Sequence, residues 1–169
     1  MVVSVYNEEA VLDKFYETIL PILEGIDSDY ELIFVNDGSR DASPAILDRL
    51  AMDSKKVKVI HFSRNYGHEA AMIAGIDYSS GDGIVCMDAD LQHPVECIPQ
   101  ILDTFNQGYE VISMVRTANK SAGFVKNLTS GLFYKILNKI SEVHFEENAS
   151  DFFAITKKPE EIIKKHFRE

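Results

Sequence analysis

The sequence predicts an α/β protein, a three-layer α/β/α sandwich whose central sheet is mainly parallel. Short apolar runs alternate with longer stretches in which apolar residues recur at helical spacing. Polar residues directly follow three of the apolar runs, as expected where parallel strands end. Hydrophobic residues make up 46% of the 169 residues, which is sufficient for a substantial core.

Strands are predicted wherever a short apolar run lies between turn or helix signals. In chain order these runs are residues 2–5, 31–35, 57–62, 83–87, 110–115 and 151–155. Apolar runs this short, separated by helical stretches, are typical of parallel strands that are covered by helices on both faces.

Helices are predicted from their start signals, their apolar spacing and their ends. Asn7 is the predicted N-cap of the first helix, and Glu8 and Glu9 would interact favourably with its dipole. Gly25 ends that helix. Further helices are predicted over residues 43–52, 68–78 and 94–107, and a last one from Pro159.

Charge is unevenly distributed along the chain. The 17 basic and 27 acidic residues give a formal net charge of −10, which argues against general nucleic-acid binding. Residues 111–141 contain no acidic residue, and their basic residues are Arg116, Lys120, Lys126, Lys135 and Lys139. Within that stretch, apolar residues from Phe124 to Ile140 recur at helical spacing, which indicates either a helix packed on the sheet or a basic amphipathic helix on a membrane surface.

Residues 1–169 are interpreted as one domain. Its two cysteines, Cys86 and Cys97, have no metal-ligand spacing, and no apolar run is long enough to span a membrane. With no visible signal peptide, these features predict a cytoplasmic protein with reduced thiols. The apolar strand at the start and the charged helix at the end suggest that the domain is truncated at both ends.

Two acids, one residue apart, carry the strongest functional signal. Asp88 and Asp90 follow the fourth apolar run, and residues i and i+2 of an extended backbone point to the same side. Carboxylates this close repel each other unless a cation neutralises them, and oxygen ligands suit Mg²⁺ or Mn²⁺. Magnesium usually also binds water and phosphate oxygens. The pair therefore predicts a metal–diphosphate site; the alternative is a turn and helix cap before Pro94.

Five short motifs at strand ends carry a family resemblance. In order they are Tyr6-Asn7-Glu8, Asn36-Asp37-Gly38-Ser39, Asn65-Tyr66-Gly67-His68, Met87-Asp88-Ala89-Asp90 and Ser150-Asp151-Phe152. Together they resemble the catalytic domain of glycosyltransferase family 2, in the branch similar to dolichol-phosphate mannosyltransferase and bacterial polyprenyl-phosphate glycosyltransferases. The resemblance implies a GT-A fold, a UDP- or GDP-sugar donor and inverting transfer of the sugar to a polyprenyl phosphate.

The resemblance also implies roles for individual residues. Tyr6, Asn7 and Glu8 would contact the nucleotide, and Asp37 would hold the base or ribose. Asp88 and Asp90 would engage the metal and the diphosphate, Gln92 would lie near the donor sugar, and Asp151 would lie near the reaction centre, where it orients the acceptor or accepts a proton. His68 and His93 are interpreted as local hydrogen-bonding residues beside helix starts.

The acceptor is predicted to be a lipid phosphate, met at the inner face of the membrane in the full-length protein. Arg116, Lys120 and Lys126 would attract its charge, and Arg116 is the best placed because it follows a strand. Two departures from the family stand out. Ser4 replaces a usual proline and is expected to touch no chemistry, whereas Phe153 replaces a usual arginine and weakens the case for phosphate binding.

Three alternatives remain open from the sequence. A sugar-nucleotide-forming nucleotidyltransferase would be expected to carry a glycine-rich basic loop after the first strand, where Tyr6-Asn7-Glu8-Glu9 stands instead. A non-catalytic remnant that binds a nucleotide sugar would explain Phe153. Transfer to a saccharide acceptor, in cell-surface polysaccharide synthesis, would keep the same donor site.

Overall fold

The computed structural model describes residues 1–115 and 149–158. The six strands in this part of the chain are β1 (Val2–Val5), β2 (Leu32–Asn36), β3 (Val57–His61), β4 (Gly83–Asp88), β5 (Val111–Val115) and β6 (Ala149–Thr156). The α-helices are α1 (Leu12–Gly25), α2 (Ser43–Asp53), α3 (His68–Tyr78) and α4 (Ile98–Asn106), the last preceded by a 3₁₀ turn over Val95–Cys97.

The strands form one mixed sheet in the order β3-β2-β1-β4-β6-β5. β1 pairs in parallel with β2 and with β4, β2 pairs in parallel with β3, and β4 pairs with β6 in the antiparallel sense. Successive strands build outward from β1 to β3, and β4 then returns to the other side of β1. The order therefore reverses between β1 and β4, and ligands of such sheets bind at the carboxyl ends of the strands at this reversal.

Helices cover both faces of the sheet. Because side chains alternate along a strand, Ile33 and Val35 of β2 face α3, where they pack with Val2, Ala71 and Met72. Phe34, between them, faces the opposite side and its ring meets that of Phe15 of α1 at 6.1 Å, edge to face. This arrangement confirms the predicted α/β/α layers and the mainly parallel sheet.

The chain separates into two compact units, Met1–Ile112 with Asp151–Glu169, and Ser113–Ser150. The first contains the helices and strands that carry the predicted site. The predicted helix of residues 124–140 and the helix from Pro159 lie outside the described residues.

One predicted helix start was wrong. Asn7 does not cap α1, because that helix begins at Leu12 with Val11 at the N-cap position and no side-chain cap. Asn7 instead adopts a left-handed backbone conformation, with φ 57°. Asparagine is among the few residues that tolerate this conformation. The Asn7 side chain is therefore free of the helix and can bond to a neighbouring loop.

A partly buried ion pair at the amino edge of the sheet predicts a loss of stability in acid. Glu31 accepts hydrogen bonds from Lys58 Nζ, from the Ser80 backbone N–H at 2.7 Å and from Ser80 Oγ at 2.9 Å. Burial alone would raise the pKa of Glu31, but these bonds outweigh it and lower the pKa to about 2.

A carboxyl whose pKa is lowered by folding stabilises the fold above its ordinary pKa and loses that contribution as the pH falls. We expect the free energy of unfolding to drop by about 1–2 kcal/mol more between pH 5 and pH 2 in the parent than in Glu31→Gln. Urea titration across this range measures it. The exposed Glu17→Gln is the control; equal slopes for all three proteins would contradict the role of Glu31.

Candidate active site

The candidate site is centred on Asp88, the last residue of β4. In the β1–β4 register Ser4 lies opposite Asp88. β6 runs antiparallel to β4 with Cys86 opposite Phe153, so two residues further on the same register brings Asp151 opposite Asp88. The start of β6 thus lies at the carboxyl edge of the parallel strands. Two neighbouring strands therefore each place a polar residue beside the Asp88 carboxylate.

Asp88 Oδ1 is held by two donors. The Ser4 hydroxyl donates to it, and His68 Nε2, at the start of α3, lies 2.8 Å from it. On the other side, His93 Nε2 lies 4.0 Å from Asp88 Oδ2. Ser4, which was expected to touch no chemistry, thus contacts a candidate metal ligand: proline could not donate here, whereas the serine hydroxyl fixes one oxygen of Asp88.

Three side chains from different elements could hold a cation together. One ligand atom each of His68, Asp88 and Asp151 lies within 4.8 Å of the others. His68 and Asp88 are half-buried and Asp151 is exposed, so the group is open to solvent. An imidazole nitrogen with two carboxylates is a donor set that suits a divalent ion such as Mn²⁺. The residues present thus fit the metal that the sequence predicts, although Asp90 is not a member of this group.

Asp90 and Glu8 add negative charge beside this group. Asp90 Oδ1 accepts the Gln92 backbone N–H at 2.9 Å, which closes a turn in which Leu91 has φ 59°. Burial raises the pKa of Glu8, and the nearby carboxylates of Asp90, Asp88 and Asp41 raise it further. Like charges that raise a pKa in this way would be relieved by a bound cation. The structure therefore contains both the turn before Pro94 and the cluster of acidic side chains that the sequence offered as alternatives.

The loop after β1 is joined to the loop after β2 through Asn7. Asn7 Oδ1 accepts the Arg40 N–H at 2.8 Å, and the Asn7 N–H donates to Ser39 Oγ at 2.9 Å. The next residue continues the connection, since the Glu8 N–H donates to Ser43 Oγ at 2.9 Å. Asn7 thus fixes the position of two loops that border the site.

Asp37 joins the loop after β2 to the loop before α3. It is 3% exposed, and its two carboxylate oxygens accept the Tyr66 N–H at 2.6 Å and the Gly67 N–H at 2.9 Å. Charge-assisted bonds of this kind are among the stronger hydrogen bonds in proteins. Asp37 therefore shapes the Asn65-Tyr66-Gly67 loop, and its predicted contact with the nucleotide stays a prediction.

A cavity of about 470 Å³ opens between the loops that follow β1, β2 and β3. Tyr6 lines it with 45% of its surface exposed, and Arg64 and Asn65 line it as well. The Arg64 guanidinium lies 4.8 Å from the centre of the Tyr66 ring. The cavity thus offers an aromatic face, a cation and amide groups to a ligand.

The structure places most of the predicted residues near one sheet edge. Tyr6, Asn7, Glu8, Asp37, Asp88, Asp90, Gln92 and Asp151 all lie at the carboxyl ends of the parallel strands, in their following loops or at the start of β6. Arg116, Lys120 and Lys126 lie outside the described residues. His68 was predicted to form a local hydrogen bond; its partner is Asp88 of the candidate site, and the place of His68 at the end of the Asn65-Tyr66-Gly67 motif was a usable signal for this contact.

Comparison with known proteins identifies the family. Residues 1–162 match Glycosyl transferase family 2. The chain is 40% identical over 158 residues to the uncharacterized glycosyltransferase YkcC of Bacillus subtilis (strain 168), covering 94% of this chain and 49% of that protein. It is 38% identical over 164 residues to the bactoprenol glucosyl transferase of Shigella phage SfV, covering 97% and 53%. The chain thus spans about half the length of the curated relatives it matches.

A solved structure of low sequence identity shows the same fold. The mannosyltransferase PcManGT from Pyrobaculum calidifontis, in complex with GDP-Man and Mn²⁺, superimposes with a TM-score of 0.64 and 17% identity, covering 96% of this chain and 45% of that one. This likeness confirms the predicted GT-A fold. By its sequence match over residues 1–162, the chain belongs to glycosyltransferase family 2.

Proposed function

We propose that this domain transfers a sugar from a UDP- or GDP-sugar to a polyprenyl phosphate, with inversion at the anomeric carbon and with Mg²⁺ or Mn²⁺ bound. The observation that carries the proposal is the Asp88 carboxylate, which meets Ser4, His68 and Asp151 where the strand order reverses. Family membership sets the reaction class, and this edge of the sheet supplies the groups that the reaction needs.

The acidic residues would bind the donor through its diphosphate. Asp88 would hold the cation together with Asp90 or Asp151, and Gln92 would lie beside the donor sugar. When bound, the cation would neutralise charge that develops on the departing nucleoside diphosphate. The acidic cluster by itself would repel a diphosphate, so donor binding is expected to depend on the cation.

Three loops would bind the nucleoside. Tyr6, which lines the 470 Å³ cavity, would stack on the base, and Arg64 and Asn65, which also line it, would donate hydrogen bonds. Asn7 and Asp37 would support this pocket by joining its loops, whether or not they touch the ligand.

The acceptor would approach Asp151 from the solvent side. A phosphate monoester oxygen is already anionic, so it needs no strong general base, and the exposed Asp151 would accept the proton that remains on the monoester. Two relatives bear on the acceptor: the name of one includes bactoprenol, whereas the other's name gives no acceptor. Arg116, Lys120 and Lys126 would attract the phosphate.

Among the described residues, no helix has both the length and the apolar character required to cross a membrane.

Binding and transfer assays on the same protein test the proposal. Calorimetric titration with UDP and with GDP is expected to show binding of one nucleotide with Mn²⁺ and none without it. Transfer from the matching nucleotide sugar to a short polyprenyl phosphate is then expected, with inverted stereochemistry by NMR. Binding without transfer or donor hydrolysis would point to a donor-binding remnant and contradict the proposal; transfer to a saccharide alone would contradict the lipid acceptor.

Asp90 is the residue whose role most needs a direct test. We expect Asp90→Ala to lower metal-dependent nucleotide affinity by about 100-fold or more, because a ligand of the metal and diphosphate is lost while the sheet is untouched. Asp90→Asn keeps an acceptor for the Gln92 N–H and should show the same loss with the turn preserved. If either folded variant binds UDP or GDP with Mn²⁺ as tightly as the parent, Asp90 is not part of the site.

A further inference from the structure

We infer that His68 is a direct nitrogen ligand of the cation at Asp88, and that it makes the site prefer Mn²⁺ to Mg²⁺. This inference rests on the proposed function, because it concerns the same cation. It goes beyond the acidic pair, whose oxygen ligands would suit either ion about equally.

The geometry between His68 and Asp88 already matches that of two neighbouring metal ligands. His68 Nε2 lies 2.8 Å from Asp88 Oδ1. Two ligand atoms at about 2.1 Å from a metal and at a right angle to each other lie about 3 Å apart. A cation could therefore replace the hydrogen that the two atoms share, with only a small displacement of either side chain.

The third member of the group lies within reach of the same position. An oxygen of Asp151 is within 4.8 Å of the His68 and Asp88 ligand atoms, and the Asp151 side chain is exposed and free to adjust. The Ser4 hydroxyl donates to Asp88 Oδ1, so this oxygen stays oriented when the His68 hydrogen is displaced. His68, Asp88 and Asp151 would then bind the cation, and the remaining positions would be open to Asp90 and to the donor diphosphate.

His68 is also held at a fixed position in the fold. It is the first residue of α3, whose Ala71, Met72 and Ile76 are buried against the sheet. Its side chain is 37% exposed, so a cation can reach it from solvent. A rigid backbone beneath a partly exposed imidazole is the arrangement that metal-binding histidines require.

Nitrogen ligation has a consequence for metal choice. Imidazole binds transition ions such as Mn²⁺ better than it binds Mg²⁺, which favours oxygen and keeps its waters. Binding also requires the neutral imidazole with Nε2 unprotonated. A site with only carboxylate ligands would show little preference between the two ions.

His93 is the natural competitor for this role and therefore the control. Its Nε2 lies 4.0 Å from Asp88 Oδ2, but its side chain is only 4% exposed and its ring packs 5.3 Å from the ring of Phe152. A cation bound by His93 would have to enter this buried contact. If His68 is the ligand, nitrogen ligation is lost when His68 is replaced; if His93 is the ligand, it is lost when His93 is replaced.

Pulsed electron paramagnetic resonance of Mn²⁺ with the parent chain and UDP or GDP tests the inference. We expect a directly bound ¹⁴N in the parent and in His93→Gln, and none in His68→Ala. Calorimetry should show that His68→Ala weakens Mn²⁺ about tenfold while Mg²⁺ changes by less than about twofold. His68→Gln, which can still donate to Asp88, controls for folding and should also lack the nitrogen signal.

The outcomes separate this inference from the proposed function. A parent that binds Mn²⁺ and nucleotide with no ¹⁴N coupling, or whose coupling survives in His68→Ala, overturns the role of His68 and leaves the proposed function intact. A parent that shows no Mn²⁺-dependent nucleotide binding at all overturns the proposed function itself.

Discussion

Asp88→Asn is expected to abolish Mn²⁺-dependent binding of UDP or GDP, with a loss of affinity of at least about 100-fold, because even residues that only support a metal ligand cost 10–100-fold when removed. Asp88 is the residue on which Ser4, His68 and Asp151 converge. Asparagine keeps a carbonyl oxygen that can accept from Ser4 and His68, so the local structure should survive while the negative charge is lost.

Asp82→Asn provides a matched control for this substitution. Asp82 is exposed and directly precedes the opposite end of the same strand, β4. Calorimetric titration of both variants should show parent-like affinity for Asp82→Asn only, with thermal unfolding unchanged in both within a few degrees. Parent-like nucleotide affinity in a folded Asp88→Asn protein would remove Asp88 from the site.

Gly38→Ala is expected to lower the free energy of unfolding by about 2–4 kcal/mol and to impair donor binding at the same time. Gly38 has φ +68°, and a Cβ there would overlap the Arg64 carbonyl carbon and lie 2.6 Å from the Asn65 nitrogen. These are backbone atoms, so the clash is relieved only if the loops after β2 and β3 separate. Asp37, which directly precedes Gly38, would then lose the hydrogen bonds that its carboxylate accepts from the Tyr66 and Gly67 N–H groups.

Gly108→Ala separates the cost of the left-handed backbone conformation from the cost of the Cβ overlap with neighbouring backbone atoms. Gly108 also has a left-handed backbone, with φ +93°, but nothing lies within 4 Å of a Cβ placed there. Gly108→Ala should therefore lower the free energy of unfolding by only about 1 kcal/mol, because only the backbone conformation is disfavoured. Denaturant unfolding of both variants gives the difference; equal losses would show that close packing of the loops contributes nothing.

Much of the fold could be predicted because each element has a strong local signal. The spacing from His68 to Tyr78 predicted α3 to the residue, and Ser43-Pro44 marked the start of α2. The acids after three strands predicted a site at one sheet edge, because parallel strands bring their carboxyl ends together. Local periodicity and strand polarity were sufficient for these features.

The parts that could not be predicted depend on contacts distant in sequence. The Ser4 hydroxyl reaches Asp88 only because β4 pairs beside β1, which no local pattern reports. Only the family resemblance predicted that Asp151 lies near the reaction centre; it comes beside Asp88 because β6 runs antiparallel to β4. The cap prediction for Asn7 failed for a similar reason: its side chain bonds to Arg40 in another loop rather than to the helix that follows.

The most direct test is a crystal structure of this chain grown with Mn²⁺ and UDP or GDP, with anomalous diffraction measured at the manganese edge. We expect a manganese peak within coordination distance of Asp88, in contact with the diphosphate, and the base in the cavity beside Tyr6. Manganese and nucleotide bound together at another part of the molecule, with Asp88 still bonded only to Ser4 and His68, would contradict it.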